Sequence, residues 1–120
     1  MKILRLDHVQ LAMPRDREGE AVAFYQGLLG IPNIPKPPHL ARRGGCWFES
    51  KDVKIHLGVE QDFIPAKKAH PALLVDDLLN LVQVLESNGF SVVQDTPLEG
   101  FERRYVADPF GNRIELMQRL

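Results

Sequence analysis

Three of the chain's four histidines and one of its glutamates occupy matching places in two half-chain repeats: His8 and His56 in the first half, His70 and Glu115 in the second. The separations are 48 and 45 residues, so each half offers one side chain from its first strand and one from its last. Imidazole nitrogen mixed with carboxylate oxygen is a donor set that holds divalent nickel, zinc, cobalt, manganese or iron. Three neutral imidazoles and one carboxylate would leave such an ion a formal charge of about +1, with one or two positions open if it is octahedral. An ion held this way acts as a Lewis acid on two adjacent substrate oxygens and stabilises negative charge as it develops. Glu115 is expected to serve also as general base, because a carboxylate can leave the ion while a histidine stays as an anchor.

These side chains need elements to hold them. Ile3 to Ala12 is apolar and suited to a strand, and Pro14 ends it; Asp16 then stands where it could cap a helix with Ala21, Phe24, Tyr25, Leu28 and Leu29 on one stripe, stopped by Gly30. Four prolines between Ile31 and Leu40 restrict that stretch to an edge strand or a loop. Two extended runs follow, Cys46 to Ser50 and Val53 to Glu60, with Lys51 and Asp52 turning between them. After the polar connector Gln61 to Ala69 the pattern restarts at His70. A strand over Pro71 to Val75 leads to Asp76 and Asp77 as caps, then to a helix striped by Leu78, Leu81, Val82 and Leu85 and ended by Asn88 and Gly89. Extended pieces at Phe90 to Val93, Glu102 to Ala107 and Arg113 to Gln118 complete it, the last two joined by the turn from Asp108 to Asn112. The chain therefore reads as two tandem modules, 1–60 and 70–120, each strand, helix, strand, strand, strand.

Strand alternation assigns the candidate ligands to a face. Val53, Ile55, Leu57 and Val59 make an apolar face suited to packing under helices, and His56 lies on the other. The same phase places His8 opposite Val9 and Leu11, His70 opposite Pro71 and Leu73, and Glu115 opposite Ile114 and Leu116. Polar residues on an open sheet face are ordinary. Four correlated ones, turned inward by curling sheets, would be costly to bury without a partner, and a cation removes that cost.

Bulk properties bound the partners. At 120 residues the chain has the length of one domain able to bury a core, and its net charge of −1, with both signs scattered, offers no footprint for nucleic acid or an anionic membrane. The single cysteine, Cys46, excludes an internal disulfide, Arg5 and Asp7 interrupt any signal-peptide core, and no run approaches the roughly 20 apolar residues of a membrane span. A cytoplasmic protein with a small-molecule substrate is expected.

The segments LDHVQLAM, AFYQGLLGI, VKIHLGVE, SNGF and DPFGNRIELM resemble the vicinal oxygen chelate superfamily, which contains glyoxalase I, fosfomycin-modifying enzymes, extradiol dioxygenases and bleomycin-resistance proteins. The resemblance covers nearly the whole chain. It implies an α+β fold in which two tandem βαβββ modules form an incomplete β-barrel with the helices outside, usually completed in a homodimer. It also implies metal positions on the first and fourth strands of each module, which here are His8, His56, His70 and Glu115.

Departures from the family refine the expectation. Glyoxalase I typically has glutamate where this chain has His56, which removes one of two carboxylates from that proton-shuttling scheme. Tyr105 matches a tyrosine of the fosfomycin enzymes, but Arg103 and Arg104 replace small hydroxyl residues nearby. The expected activity is thus a divalent-metal-dependent lyase, isomerase or thiol transferase acting on a substrate that chelates through vicinal oxygens. Two alternatives stand beside it: a metal-free sequestering protein of the bleomycin-resistance type, and an iron(II) extradiol dioxygenase using His8, His70 and Glu115. Arg103 and Tyr105 share a strand face suited to an anionic substrate group, and Trp47 could line a pocket. Cys46 is expected to be packed and inert, and His39, between prolines, to be exposed.

Overall fold

The computed structural model describes all 120 residues and divides into two compact units, Met1–Phe63 and Ile64–Leu120. The first holds β1 (Val9–Met13), α1 (Glu18–Ala21), a π-helical segment (Val22–Leu28), β2 (Asn33–Ile34), α2 (Pro38–Ala41), β3 (Cys46–Glu49) and β4 (Lys54–Val59). The second holds β5 (Ala72–Leu74), α3 (Leu78–Ser87), β6 (Val92–Val93), β7 (Phe101–Ala107) and β8 (Arg113–Arg119). Each unit forms one four-stranded sheet, ordered β1-β4-β3-β2 and β5-β8-β7-β6. The two orders are equivalent, so the repeat read in the sequence is a repeat of topology. In both, the first and last strands pair in parallel and the remaining pairs are antiparallel. The fold is α+β, two similar modules whose sheets are not closed into a barrel.

In the first module Leu11, Met13, Phe48, Ile55 and Leu57 are buried with Phe24 and Tyr25 of the π-helical segment. Burying side chains of this size contributes roughly 1.5–3 kcal/mol each. Tyr25 lies against Phe24 and Phe48, with ring centroids 4.9 and 5.2 Å apart. In the second, Leu78 and Leu85 of α3 are buried, as are Ile114 and Leu116 of β8. Asp77 caps α3 by accepting from the Asn80 amide at 3.1 Å, as its sequence position suggests.

Several elements differ from the sequence reading. β1 begins at Val9 rather than Ile3, because Val9 pairs with Ile55 and the turn before β4 leaves earlier residues no partner. Ile3, Leu4 and Leu6 are consequently exposed. Asp16 does not cap: it adopts φ 64°, and Arg17 occupies the cap position without a side-chain bond. The helix also widens after Ala21, with the Leu29 amide bonding Phe24 O five residues back, a spacing that a 3.6-residue stripe does not reveal. In the proline-rich stretch the edge strand β2 is joined by the short helix α2, whose Pro38 takes the first helical position, where a missing N–H costs nothing.

Two structures position the site strands. Gly45, immediately before β3, has φ 80°, and a Cβ there would stand 2.1 Å from Leu57 O. The β7–β8 turn is held by Asp108, whose Oδ1 accepts from the amides of Phe110 and Asn112 at 2.9 Å, while its Oδ2 accepts from Asn112 Nδ2 at 3.0 Å. Asn112 Oδ1 in turn accepts from the Ala66 amide at 3.0 Å. Both side chains are buried, so the network fixes the turn, and with it the register that sets Tyr105 opposite Glu115.

Candidate functional site

Each module assembles half of the expected ligand set, and the two halves are built by one rule. In the first, Gln10 pairs with His56, and His8 lies two residues before Gln10. In the second, Ala72 pairs with Glu115, and His70 lies two residues before Ala72. His8 and His70 are not strand residues as their alternation suggested: they lie just ahead of β1 and β5, and their contacts, not strand phase, set each beside its last-strand partner.

The outcome is contact in both modules. His8 and His56 stack with ring centroids 4.4 Å apart and planes 19° from parallel. His70 Nε2 lies 2.9 Å from Glu115 Oε1. Two cis donors of an octahedral ion with bonds of about 2.1 Å stand about 3.0 Å apart, a separation that the second pair's hydrogen bond also has. The environment of His70 fits a cation as well. Its Nδ1 donates to Lys68 O at 2.9 Å while its Nε2 faces a carboxylate, so both nitrogens meet acceptors. Such a ring is satisfied when doubly protonated or when a cation lies between Nε2 and the carboxylate. No three His, Cys, Asp or Glu side chains are gathered so that they could hold a metal ion; what each module shows is a pair.

Glu115 is buried and has two partners, His70 at Oε1 and the Arg103 guanidinium 3.3 Å from Oε2. Burial pushes its carboxyl pKa up, but the hydrogen bonds and charges of His70 and Arg103 outweigh that and hold it below the usual carboxylate value. This suits a ligand, and it makes the carboxylate a weaker base while these partners remain in place. Arg103 also donates to Tyr105 Oη at 2.9 Å and to Thr96 O. The Tyr105 ring stands edge-on to His70, 5.4 Å between centroids, so the expected Arg103–Tyr105 face is part of the second half-site.

Trp47 pairs with His56 across β3 and β4, and its indole lies on the imidazole at 4.0 Å and 5°. It is thus a wall of the first half-site. Two further residues belong to these clusters. Glu49, two residues beyond Trp47, places Oε2 2.6 Å from His56 Nε2. Arg113, two residues before Glu115, holds its guanidinium 3.8 Å over the Tyr105 ring. Strand phase alone would have placed both on the ligand face; Glu49 has no acidic counterpart in the second half, while Arg113 corresponds to Lys54 in the first. Lys67, Ser91, Val93, Tyr105, Ala107 and Arg113 help line a cavity of about 470 Å³ in the second module, mostly apolar with two cations at its walls.

Cys46 is buried and free, and His39 lies in α2 on the exposed side. Burial, with the charge of Glu18 adding and that of Lys36 opposing, pushes the Cys46 thiol up to about 11. The folded protein therefore retains this proton where the unfolded chain, near 9.0, has lost it. Its stabilising contribution is complete below pH 9 and declines as pH rises toward 11. Cys46→Ala is expected to flatten that part of the urea-midpoint profile. In the native wild type, iodoacetamide at pH 8 should react roughly 100-fold more slowly than with the denatured chain, as the lower thiolate fraction requires. Equal rates would show an accessible thiol.

The sequence signature of the Glyoxalase/Bleomycin resistance protein/Dioxygenase superfamily matches residues 5–116. A crystal structure described as a glyoxalase family protein from Bacillus anthracis shares 48% identity, covering 100% of this chain and 98% of that one, with a TM-score of 0.94. The fosfomycin resistance protein FosX of Listeria monocytogenes matches over 99% of this chain and 94% of its own, at 15% identity and TM-score 0.76. An antibiotic binding protein from Streptomyces, at 21% identity, covers 98% and 100% with TM-score 0.73. The last two likenesses concern the fold alone. Among curated proteins none matches the chain. No helix is long and apolar enough to cross a membrane.

Proposed function

The chain belongs to the Glyoxalase/Bleomycin resistance protein/Dioxygenase superfamily, whose members include enzymes, and within it we propose a divalent-metal-dependent, glyoxalase-like lyase, isomerase or thiol transferase. Its substrate is a small molecule with two adjacent oxygens. The observation that carries this reading is the shared offset of the two ligand pairs, His8 with His56 and His70 with Glu115, each facing away from the module's core.

In the proposed site His8, His56 and His70 are neutral anchors, and Glu115 completes the set. When bound, nickel, zinc, cobalt, manganese or iron would supply Lewis-acid polarisation of the two substrate oxygens. Glu115 takes the proton removed from the substrate once Arg103, 3.3 Å from Oε2, turns to the substrate's anionic group. The walls nearest the ligands are Trp47 in one module and Tyr105 in the other. Arg103 orients an anionic substituent against Tyr105. The active species is a cytoplasmic homodimer whose modules pair, with neither nucleic acid nor membrane as a partner.

Metal analysis of protein purified without chelator tests this directly. Stoichiometric metal that is lost in His8→Ala and His70→Ala is the expected result. Metal-free protein that cannot be reloaded would instead favour a sequestering protein, for which the mostly apolar cavity beside Tyr105 and Arg113 is the physical argument. Consumption of catechol by an iron-loaded sample would move the assignment to a dioxygenase.

A further inference from the structure

The first module contains a carboxylate that the repeat does not account for. Glu49 and His56 lie on adjacent antiparallel strands, with Trp47 opposite His56 and Glu49 opposite Lys54. Glu49 is therefore diagonal to His56 on the same face, and its Oε2 comes within 2.6 Å of Nε2. The side chains of His56 and Glu49 are 6% and 22% exposed, so this is a mostly enclosed pair rather than a surface one. The imidazole is also covered on both faces, by Trp47 at 4.0 Å and His8 at 4.4 Å. Two stacked faces and one bonded edge leave the ring little freedom to flip.

We infer that Glu49 is a positioning residue for His56, fixing the ring's orientation and holding the proton on Nε2 so that Nδ1 carries the lone pair available to a ligand. A carboxylate only accepts, so the bonded nitrogen must be the donor. A metal-binding histidine commonly gives its other N–H to a carboxylate, which sets its tautomer and strengthens it as a donor. The 2.6 Å separation distinguishes this contact from the pair in the second module. It is shorter than the edge of about 3.0 Å expected between two cis ligands. The second module solves the same problem differently: Lys68 O fixes the His70 ring through Nδ1, leaving Nε2 toward Glu115. The two modules thus present opposite imidazole nitrogens. Glu49 lies at a position whose counterpart, two residues beyond Tyr105, is Ala107, so this carboxylate is particular to one half.

The consequence for metal binding rests on the proposed function, whereas the tautomer does not. Long-range nitrogen–proton NMR of the metal-free protein is expected to show His56 protonated at Nε2, a preference kept by Glu49→Gln and lost in Glu49→Ala. Competition with a chelator for cobalt should show affinity weakened roughly 10- to 100-fold in Glu49→Ala, with most of it restored in Glu49→Gln. A wild-type His56 protonated at Nδ1, or cobalt affinity in Glu49→Ala within twofold of wild type, overturns the inference. If the wild type binds no cobalt at all, the metal reading fails and the tautomer decides the role of Glu49 alone.

Discussion

Glu115→Gln is expected to abolish turnover while leaving part of the metal in place. The substitution keeps the volume and one acceptor oxygen of the side chain, so His70 retains a neighbour at the position now 2.9 Å away. What disappears is the charge and the ability to take a proton. A general base contributes about 10²- to 10⁴-fold to rate, and weakened ligation adds to that loss, so a fall of at least about 10³-fold is the expected outcome. Metal content by mass spectrometry and rates on hemithioacetals, epoxides and catechols provide the two readouts. Turnover near the wild-type rate with full metal would remove Glu115 from the chemistry. Arg103 sharpens the result, because with a neutral amide at position 115 its guanidinium loses the opposite charge 3.3 Å away. A second substitution, Arg103→Gln, should relieve that imbalance without restoring activity.

The largest effect on stability is expected at Gly45. Alanine there meets two penalties together. The backbone at φ 80° costs a residue with a Cβ about 1–2 kcal/mol, and the new Cβ would stand 2.1 Å from Leu57 O, a backbone atom that cannot swing aside. Shifting β4 to make room disturbs the Cys46–Leu57 pairing and the buried Phe48 and Ile55 beside it. Overpacking of this kind adds about 1–3 kcal/mol, so Gly45→Ala is expected to cost roughly 2–5 kcal/mol in urea unfolding. Gly19, where an added Cβ meets nothing within 4 Å, is the control, and Gly19→Ala should change stability little. A Gly45→Ala protein of wild-type stability would mean that β3 can move without loss. The substitution also reports on the site, since β3 carries Trp47 and Glu49 against His56.

The sequence contained the two-module plan and the strand faces of His56 and Glu115, because both depend on local periodicity. Alternation along Val53 to Glu60 puts His56 opposite Ile55 and Leu57, and the fold buries those two while pairing His56 with Gln10 and Trp47. The Asp77 cap and the turn from Asp108 to Asn112 were equally legible, since each is made by side chains a few residues from the backbone they bond. The limits of β1, the left-handed Asp16 and the π-helical widening after Ala21 were not legible. The limit of β1 follows from which strand ran out of partners, and no short window of sequence encodes that.

The site divides along the same line. Residue types and spacing nominated His8, His56, His70 and Glu115, but only the parallel pairing of β1 with β4 and of β5 with β8 fixed the common two-residue offset. The roles of Glu49 and Arg113 were likewise decided by tertiary structure. Their contacts with His56 and Tyr105 exist because neighbouring strands set diagonal side chains a few ångströms apart. A sequence determines which face a strand residue takes, since that is a property of one strand. What it touches there depends on the register between strands, and register is chosen by packing and hydrogen bonding over the whole sheet.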